Sequence, residues 1–279
     1  MDLVSVIMPC HNEGRYIKEA ICSVKAQTYP DVELIIIDDG SNDDYTLKVL
    51  DEITQDGTKV IRTKKIGPSA ARNAGIAIAQ GKYILPVDSD DKIEPNYISK
   101  AVNILENNPD IGVVYCYADL FGEKSGKWEL PNYSFDRMLL DNIIFVSALF
   151  YKSDWEKVGG FNTNMHYGME DYDFWLSIIE LGREIYQIPE ILFHYRIKNK
   201  SRSTIFQENK ENVQQTYREI YLHHKELYKK YAEKYEMILR EAWIDQLYIN
   251  RSLKKGMLLL EKLNKFPLLK KIIKKIFLR

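Results

Sequence analysis

The chain has 279 residues, of which 45% are hydrophobic and 28% charged, and its formal net charge is −1 at pH 7. This length and composition are typical of an ordinary globular protein with one large α/β domain plus an extension. The three widely spaced cysteines exclude a disulfide framework and a zinc site, and no apolar run approaches the ~20 residues of a membrane span.

The beginning of the chain alternates predicted strands with predicted helices. Residues 3–8 form a short apolar run that Pro9 ends, and because no basic leader or cleavage site precedes it, we expect a cytosolic protein. The elements that follow are a helix over 14–28, a strand over 32–37, a polar helix, a weak strand near 59–62, a helix over 69–79 and a strand over 83–87. This alternation predicts a mainly parallel central sheet with right-handed crossovers.

From about residue 111 the pattern changes to strands and short loops. We predict a hairpin around Gly122–Gly126, a helix that begins near Glu170, and two strands, 184–188 and 191–197, on either side of Pro189. Beyond about residue 206 the chain becomes helical and highly charged. The sequence therefore predicts an α/β domain over residues 1–205 and a helical C-terminal extension over residues 206–279.

Polar residues follow three of the early strands, at the point where each strand ends. These segments are residues 9–13, 38–41 and 88–91. Ligands bind at the carboxyl ends of the strands in open parallel sheets, so we expect a ligand site there. A single Asp-Gly-Ser turn is more often only a turn, but three polar strand ends together favour a site.

Asp88-Ser89-Asp90-Asp91 is the most acidic of these segments. Three carboxylates in four residues repel one another unless solvent or a cation compensates, and hard oxygen ligands suit Mg²⁺ or Mn²⁺. The alternative is a solvated turn that caps the helix after Pro95. Since neither a P-loop nor a Gly-x-Gly-x-x-Gly sequence is present, we expect a nucleotide diphosphate held mainly by a metal and side chains.

Six motifs together resemble glycosyltransferase family 2. They are Val4-Ser5-Val6-Ile7-Met8-Pro9 with His11-Asn12-Glu13, Ile36-Ile37-Asp38-Asp39-Gly40-Ser41 with Asp43, Gly67 with Ala71-Arg72-Asn73 and Gly75, Asp88-Ser89-Asp90-Asp91, Gly159-Gly160-Phe161, and Glu170-Asp171-Tyr172-Asp173. The resemblance covers roughly residues 3–204. It implies the GT-A fold, a Rossmann-like nucleotide-diphospho-sugar transferase domain of the α/β class.

The resemblance also implies roles for individual residues. Pro9, His11 and Glu13 would line the nucleoside pocket, Asp39 would accept a hydrogen bond from uracil, Arg72 would lie near the nucleotide, Asp88 would bind the ribose, and Asp90 would bind Mn²⁺ or Mg²⁺. The family often has Tyr where His11 stands.

Glu170-Asp171 resembles the family's catalytic pair, with Asp171 as the general base. An acceptor hydroxyl is a poor nucleophile until its proton is removed, and a helix N-terminus keeps a carboxylate ionised. The alternative is that these acids only favour the start of a helix. His194 could complete the metal shell or be structural, and either Arg196 or Arg202 could neutralise the leaving diphosphate.

The function implied is that of an inverting glycosyltransferase in cell-surface polysaccharide synthesis. It would move a hexosyl or N-acetylhexosaminyl residue from a UDP-sugar, or from a dTDP-sugar, to a hydroxyl of a glycan or polyprenyl-diphosphate-linked acceptor. A sugar nucleotidyltransferase is one alternative, but residues 9–16 lack the glycine-rich basic loop it would need. The other is a non-catalytic nucleotide-sugar-binding protein, against which Asp90 and Asp171 argue.

The C-terminal residues 251–279 carry ten Lys and Arg but a single acid, Glu261, which leaves about −10 on residues 1–250. Residues 266–279 predict a basic amphipathic helix suited to an anionic membrane surface, which would make the protein peripheral on the inner face of the cell membrane. The alternative is that its apolar stripe packs on the domain or on a second copy, giving a homodimer through the C-terminal helices. No feature indicates a nucleic-acid partner.

Overall fold

The structure is a computed structural model that describes residues 1–199 and 201–264, with side chains up to residue 255. The chain divides into two compact units, of which the first is Met1–Tyr228 and the second begins at Lys229. The predicted amphipathic helix over residues 266–279 lies outside the described residues. None of the described helices combines the length and the apolar character needed to cross a membrane.

One sheet of nine strands forms the centre of the first unit, as far as the described residues show. Its strands in chain order are β1 (Val4–Cys10), β2 (Val32–Asp38), β3 (Lys59–Arg62), β4 (Tyr83–Pro86), β5 (Lys92–Ile93), β6 (Ile111–Gly122), β7 (Gly126–Lys127), β8 (Leu149–Tyr151) and β9 (Glu184–Ile197). Across the sheet the order is β3-β2-β1-β4-β8-β6-β9-β5, with β7 paired to β6.

The helices connect and follow these strands. They are α1 (Ile17–Lys25), α2 (Asp44–Gln55), α3 (Pro68–Ile78), α4 (Tyr97–Asn107), α5 (Phe135–Met138), α6 (Lys152–Val158), α7 (Glu170–Glu180), α8 (Arg202–Glu208), α9 (Lys210–His223), α10 (Lys225–Lys230) and α11 (Ala232–Asn264). The predicted helix start near Glu170 is confirmed by α7. Residues 206–228, predicted as part of the extension, lie in the first compact unit.

The first four strands of the sheet order, β3, β2, β1 and β4, are mutually parallel. The apolar side chains of β1 and β4, inside the sheet, are almost entirely buried, as expected for strands covered on both faces, whereas those of the edge strand β3 are partly exposed. Gly75 lets α3 lie directly on β1 and β2, because a Cβ at this position would come within 2.5 Å of Ile37 and 2.8 Å of Ile7. This close packing holds α3 beside the carboxyl ends of the strands.

The other half of the sheet mixes directions. Strand β8 is antiparallel to both β4 and β6, and β6 pairs in parallel with β9. The predicted hairpin at Gly122–Gly126 is confirmed, since β6 and β7 pair across it. The mainly parallel α/β class is confirmed as well, with these antiparallel additions.

The prediction of two separate strands around Pro189 is wrong. Residues 184–197 form the single strand β9. Its register against β6 shifts between two successive pairs, because Cys116 pairs with Ile188 but the next residue, Tyr117, pairs with Ile191. Pro189 and Glu190 are thus accommodated in an irregularity of the strand. A proline cannot donate a ladder hydrogen bond, so a bulge is the position in which a continuous strand tolerates it.

Candidate functional site

The sheet brings the polar strand ends to one edge. Cys10 at the end of β1 pairs with Asp38 at the end of β2, and β4 lies parallel on the other side of β1. Beyond the ladder, the His11 ring nitrogen Nδ1 lies 2.9 Å from the carbonyl oxygen of Asp39, and Asn12 exchanges hydrogen bonds of 2.8 Å with Asn42. The segments that follow β1 and β2 therefore form one connected surface.

Asp39 anchors the loop that leads into α3. Its buried carboxylate accepts hydrogen bonds from the Thr63 hydroxyl at 2.9 Å and from the backbone N–H groups of Ile66 and Gly67 at 2.6 and 2.9 Å. The side chain is thus already engaged by protein donors. Its predicted contact with uracil stays a prediction.

The three carboxylates of the Asp88-Ser89-Asp90-Asp91 segment each meet a different donor. Asp88 Oδ1 lies 2.7 Å from Arg72 Nη2, Asp90 Oδ2 lies 2.7 Å from Lys198 Nζ, and Asp91 Oδ1 accepts the backbone N–H of Arg196 at 2.8 Å. Burial raises the pKa of Asp90 and raises that of Asp91 well above its usual value, and neighbouring carboxylates add to both shifts. The segment is therefore a fixed acidic cluster and not a solvated turn.

Glu13 belongs to the same cluster. Burial raises the pKa of Glu13, and the negative charges of Asp90 and Asp88 raise it further. The ion pair with Lys198 lowers this pKa but does not cancel the rise. Oxygen donors from Asp88 and Asp90 fit the hard ligand chemistry of Mn²⁺ or Mg²⁺. The predicted metal position at Asp90 is therefore chemically suitable.

Lys198 is a site residue that sequence reasoning missed. Its ammonium group contacts both Glu13 and Asp90, and its side chain is 19% exposed. The signal that could have found it is its position directly after β9, the strand that also delivers Arg196 to this edge.

Arg196, one of the two arginines considered for the diphosphate, is held by protein groups. Its Nε donates to the carbonyl oxygen of Asp90 at 2.7 Å, it pairs with Glu19, and its guanidinium lies 4.5 Å from the centre of the Tyr16 ring. Only 11% of its side chain is exposed. This arrangement ties the end of β9 to the acidic cluster.

His194 lies between two carboxylates. Its Nδ1 is 2.6 Å from Asp119 and its Nε2 is 2.8 Å from Glu94, so both ring nitrogens have partners within the fold. These contacts give His194 a structural role on β9. Its predicted role in the metal shell has no support in this geometry and stays a prediction.

Arg72 connects the two acidic motifs. From α3, its buried guanidinium contacts Asp88 Oδ1 at 2.7 Å and Glu170 Oε1 at 2.9 Å. Arg202, whose side chain is 41% exposed, contacts the same Glu170 oxygen at 2.7 Å. The segment after β4 and the start of α7 therefore meet at one place, as expected if both belong to a single active site.

Asn73 fixes the segment that precedes α7. Its side chain accepts the backbone N–H of Phe161 and donates to the carbonyl oxygen of the same residue, both at 2.8 Å. Gly160 has φ +85°, and a Cβ there would come within 2.7 Å of the Asn73 oxygen, so this close approach requires glycine. The motifs Arg72-Asn73 and Gly159-Gly160-Phe161 thus act together to position the start of α7.

Glu170 and Asp171 are adjacent but have opposite electrostatic surroundings. Burial opposes the ionisation of Glu170, but Arg202 and Arg72 outweigh it and lower its pKa to about 2. The half-buried Asp171 is shifted the other way, because burial and the negative charge of Glu170 raise its pKa to about 7. The surroundings of Glu170 therefore favour its anion, whereas those of Asp171 favour its protonated form.

Asp173, on α7, lies close to two histidines, His223 and His224. Among the described residues, this is the one group of three side chains that could together bind a metal ion. His224 is buried, and its Nδ1 contacts Glu180 at 2.8 Å while Nε2 lies 3.3 Å from Asp173. Burial lowers the pKa of His224, but the effect of Asp173 and Glu180 is larger than that of burial and raises this pKa to about 9. His224 and Asp173 thus form a buried ion pair that ties the end of α9 to α7.

Comparison with known proteins gives consistent results. The chain matches the family model described as Glycosyl transferase family 2 over residues 5–170. An uncharacterized glycosyltransferase of Haemophilus influenzae is 32% identical over 223 residues, which cover 73% of this chain and 68% of that protein. Chondroitin synthase of Escherichia coli is 31% identical over 186 residues, or 64% of this chain and 27% of the synthase.

Among solved structures, TarS residues 1–349 of S. aureus in complex with UDP has a TM-score of 0.62 at 19% identity. That match covers 79% of this chain and 65% of the TarS chain. The complex of the same protein with UDP-GlcNAc has a TM-score of 0.59 at 18% identity and covers 72% of this chain and 60% of the other. The chain thus spans less than two thirds of these TarS chains, and the likeness is one of fold.

Proposed function

This chain belongs to glycosyl transferase family 2 and is a nucleotide-sugar glycosyltransferase with the GT-A fold, and from this premise we propose that it uses a UDP-sugar donor and Asp171 as general base. The observation that carries the proposal is the contact of Arg72 with both Asp88 and Glu170. It joins the acidic cluster, where the nucleotide diphosphate would bind, to the residue next to the proposed base.

The proposed reaction is a single displacement. Asp171 takes the proton of the acceptor hydroxyl while that oxygen forms a bond to the anomeric carbon from the face opposite the diphosphate. The bond between the anomeric carbon and the diphosphate oxygen breaks, UDP leaves with the electron pair, and the anomeric configuration inverts. A carboxyl group with a pKa near the working pH is well matched to this proton transfer.

The positive groups of the site have separate tasks in this mechanism. Arg72 is buried and holds the carboxylates of Asp88 and Glu170 in place, so it positions other groups. Arg202 is partly exposed, and we assign its guanidinium, a group suited to bidentate contacts with phosphate oxygens, to the departing diphosphate. Mn²⁺ or Mg²⁺ held by Asp90 and Asp88 would supply Lewis-acid stabilisation of the leaving group when bound.

The donor and acceptor classes are proposed from the relatives and the structural neighbours. TarS complexes with UDP and UDP-GlcNAc favour a UDP-sugar, with a hexosyl or N-acetylhexosaminyl residue transferred. The similarity to a chondroitin synthase favours a glycan hydroxyl as acceptor.

A panel of UDP- and dTDP-sugars tests the donor. We expect one or more UDP-sugars to raise the melting temperature and to release UDP slowly by hydrolysis, with water in place of the acceptor. UDP and inorganic diphosphate are measured in the same samples. Release of diphosphate from a nucleoside triphosphate and a sugar phosphate, without release of UDP, would instead identify a sugar nucleotidyltransferase.

We also propose that the C-terminal tail docks the enzyme on an anionic membrane surface. Its charge and apolar spacing carry this proposal, since each lysine near such a surface contributes about 1 kcal/mol. Deletion of residues 266–279 should abolish co-sedimentation with phosphatidylglycerol vesicles, with phosphatidylcholine vesicles as the control. Unchanged binding by the shortened chain would contradict the proposal and leave packing of the tail, on the domain or in a homodimer, as the alternative.

A further inference from the structure

The ammonium group of Lys198 lies in the middle of the acidic cluster. It is 2.7 Å from Asp90 Oδ2 and in direct contact with Glu13, so it links the segment after β1 to the segment after β4. Only 19% of the Lys198 side chain and 17% of the Asp90 side chain are exposed. The ion pair is therefore partly buried and shielded from solvent, unlike the fully solvated surface pairs that contribute little.

The fold fixes the position of Lys198. Two residues earlier, the backbone N–H of Arg196 donates to Asp91, and its side-chain Nε donates to the carbonyl oxygen of Asp90. The chain is therefore attached to the acidic segment directly before it reaches Lys198. The backbone at Lys198 is therefore held in place, and its side chain lies between two carboxylates that would otherwise repel each other.

We propose that Lys198 is a built-in cation of the donor site, which neutralises Asp90 and Glu13 and supplies positive charge to the donor diphosphate whenever no divalent ion is bound. A metal ion at Asp90 then competes with the ammonium group for the same carboxylate and is repelled by it at short range. The inference rests on the proposed function in one respect, the binding of a nucleoside diphosphate.

The charge balance of the cluster supports this assignment. Asp88 is already paired with Arg72, and Asp91 accepts the Arg196 N–H, so Lys198 is the partner that Asp90 and Glu13 share. A divalent ion would add two positive charges next to an ammonium that is already in place. An ion that binds at Asp90 must therefore either displace the Lys198 ammonium group or bind more weakly because that group repels it.

Two binding measurements on the full-length protein test the proposal. Mn²⁺ affinity is measured by electron paramagnetic resonance without nucleotide, and UDP affinity by calorimetry in EDTA. Lys198→Met should bind Mn²⁺ at least about tenfold more tightly than the wild type, because the competing charge is gone, and UDP in EDTA at least about tenfold more weakly. Lys198→Arg keeps the charge and should stay close to the wild type in both.

The outcomes separate this inference from the proposed function. Unchanged Mn²⁺ affinity and unchanged UDP affinity in Lys198→Met would overturn the role of Lys198 even if the enzyme transfers sugar as proposed. Absence of UDP binding by the wild type under every condition would instead contradict the proposed donor, and the Mn²⁺ measurement would still decide the competition at Asp90. If Lys198→Met does not fold, Lys198→Gln is measured in its place, with circular dichroism as the check.

Discussion

Asp171→Asn should lower the rate of sugar transfer by about 10²- to 10⁴-fold while leaving UDP affinity unchanged, because general-base catalysis contributes that range and the proposed base acts on the acceptor hydroxyl. The substitution keeps the shape of the side chain, and its amide oxygen can still accept the Tyr172 N–H that Asp171 now accepts at 2.9 Å. Single-turnover transfer and calorimetric UDP binding are the two measurements. Near wild-type turnover by this variant would exclude Asp171 as the base.

Asp173→Asn is the matched control, two residues further along α7. Asp173 contacts His223 and the buried His224, so its loss should lower the stability of the protein. The turnover of the folded variant should stay close to that of the wild type, since this side chain points to α9. The pair of variants separates damage to chemistry from damage to the helix.

The pH dependence of turnover should report the same group. Because burial and Glu170 raise the pKa of Asp171 to about 7, the base is protonated below this pH and ionised above it. Turnover should therefore rise with pH through about 7, and the residual turnover of Asp171→Asn should lack this rise. A profile that is flat between pH 5 and pH 8 in the wild type would contradict the assignment.

The stability of the protein should change with pH in the opposite sense. The folded-state pKa of Asp171 lies above the unfolded carboxyl value of roughly 3.9, so its contribution is present below that value and lost as the pH rises through about 7. Asp171→Asn lacks this loss. Urea unfolding should accordingly show that the variant gains stability over the wild type at pH 8, and that the gain shrinks towards pH 5.

Arg72→Met should have the largest effect on stability, a loss of about 3–5 kcal/mol in the free energy of unfolding. Arg72 is 3% exposed and its guanidinium is shared by Asp88 and Glu170, and removing one partner of a buried ion pair leaves an uncompensated charge. Transfer should fall as well, because the acidic cluster and the start of α7 lose their common contact. Urea unfolding and a transfer assay on the remaining folded protein check the two effects.

Arg202→Met provides the contrast, because Arg202 contacts the same Glu170 oxygen from a partly exposed position. Loss of an exposed pair should cost within about 1 kcal/mol of stability. Transfer should nevertheless fall, and more than UDP affinity falls, if Arg202 stabilises the departing diphosphate. Equal losses of stability in Arg72→Met and Arg202→Met would contradict the expectation that the buried ion pairs of Arg72 contribute more to stability than the exposed pair of Arg202.

The second half of the sheet marks the limit of prediction from local pattern. The apolar runs on either side of Pro189 were predicted as two strands, whereas the structure joins them into β9 through a shift of register against β6. A proline is a reliable sign that a regular ladder is interrupted, but whether the strand ends or bulges depends on the partner strand. That partner, β6, lies far away in the chain.

The sequence by itself determined the α/β class, the order of strands and helices in the first half, and the acidic motifs, because hydrophobic period and strand-end chemistry are local properties. Only the tertiary structure decided which charges meet. In the folded chain Arg72 contacts Glu170, His194 contacts Glu94 and Asp119, and Lys198 lies between Glu13 and Asp90. The contacts of His194 and Lys198 arise where β9 pairs with β5 and β6 and returns the chain to the edge formed by β1, β2 and β4, whereas Arg72 on α3 meets Glu170 at the start of α7. Partners that are so far apart in the chain leave no periodic signal in the sequence.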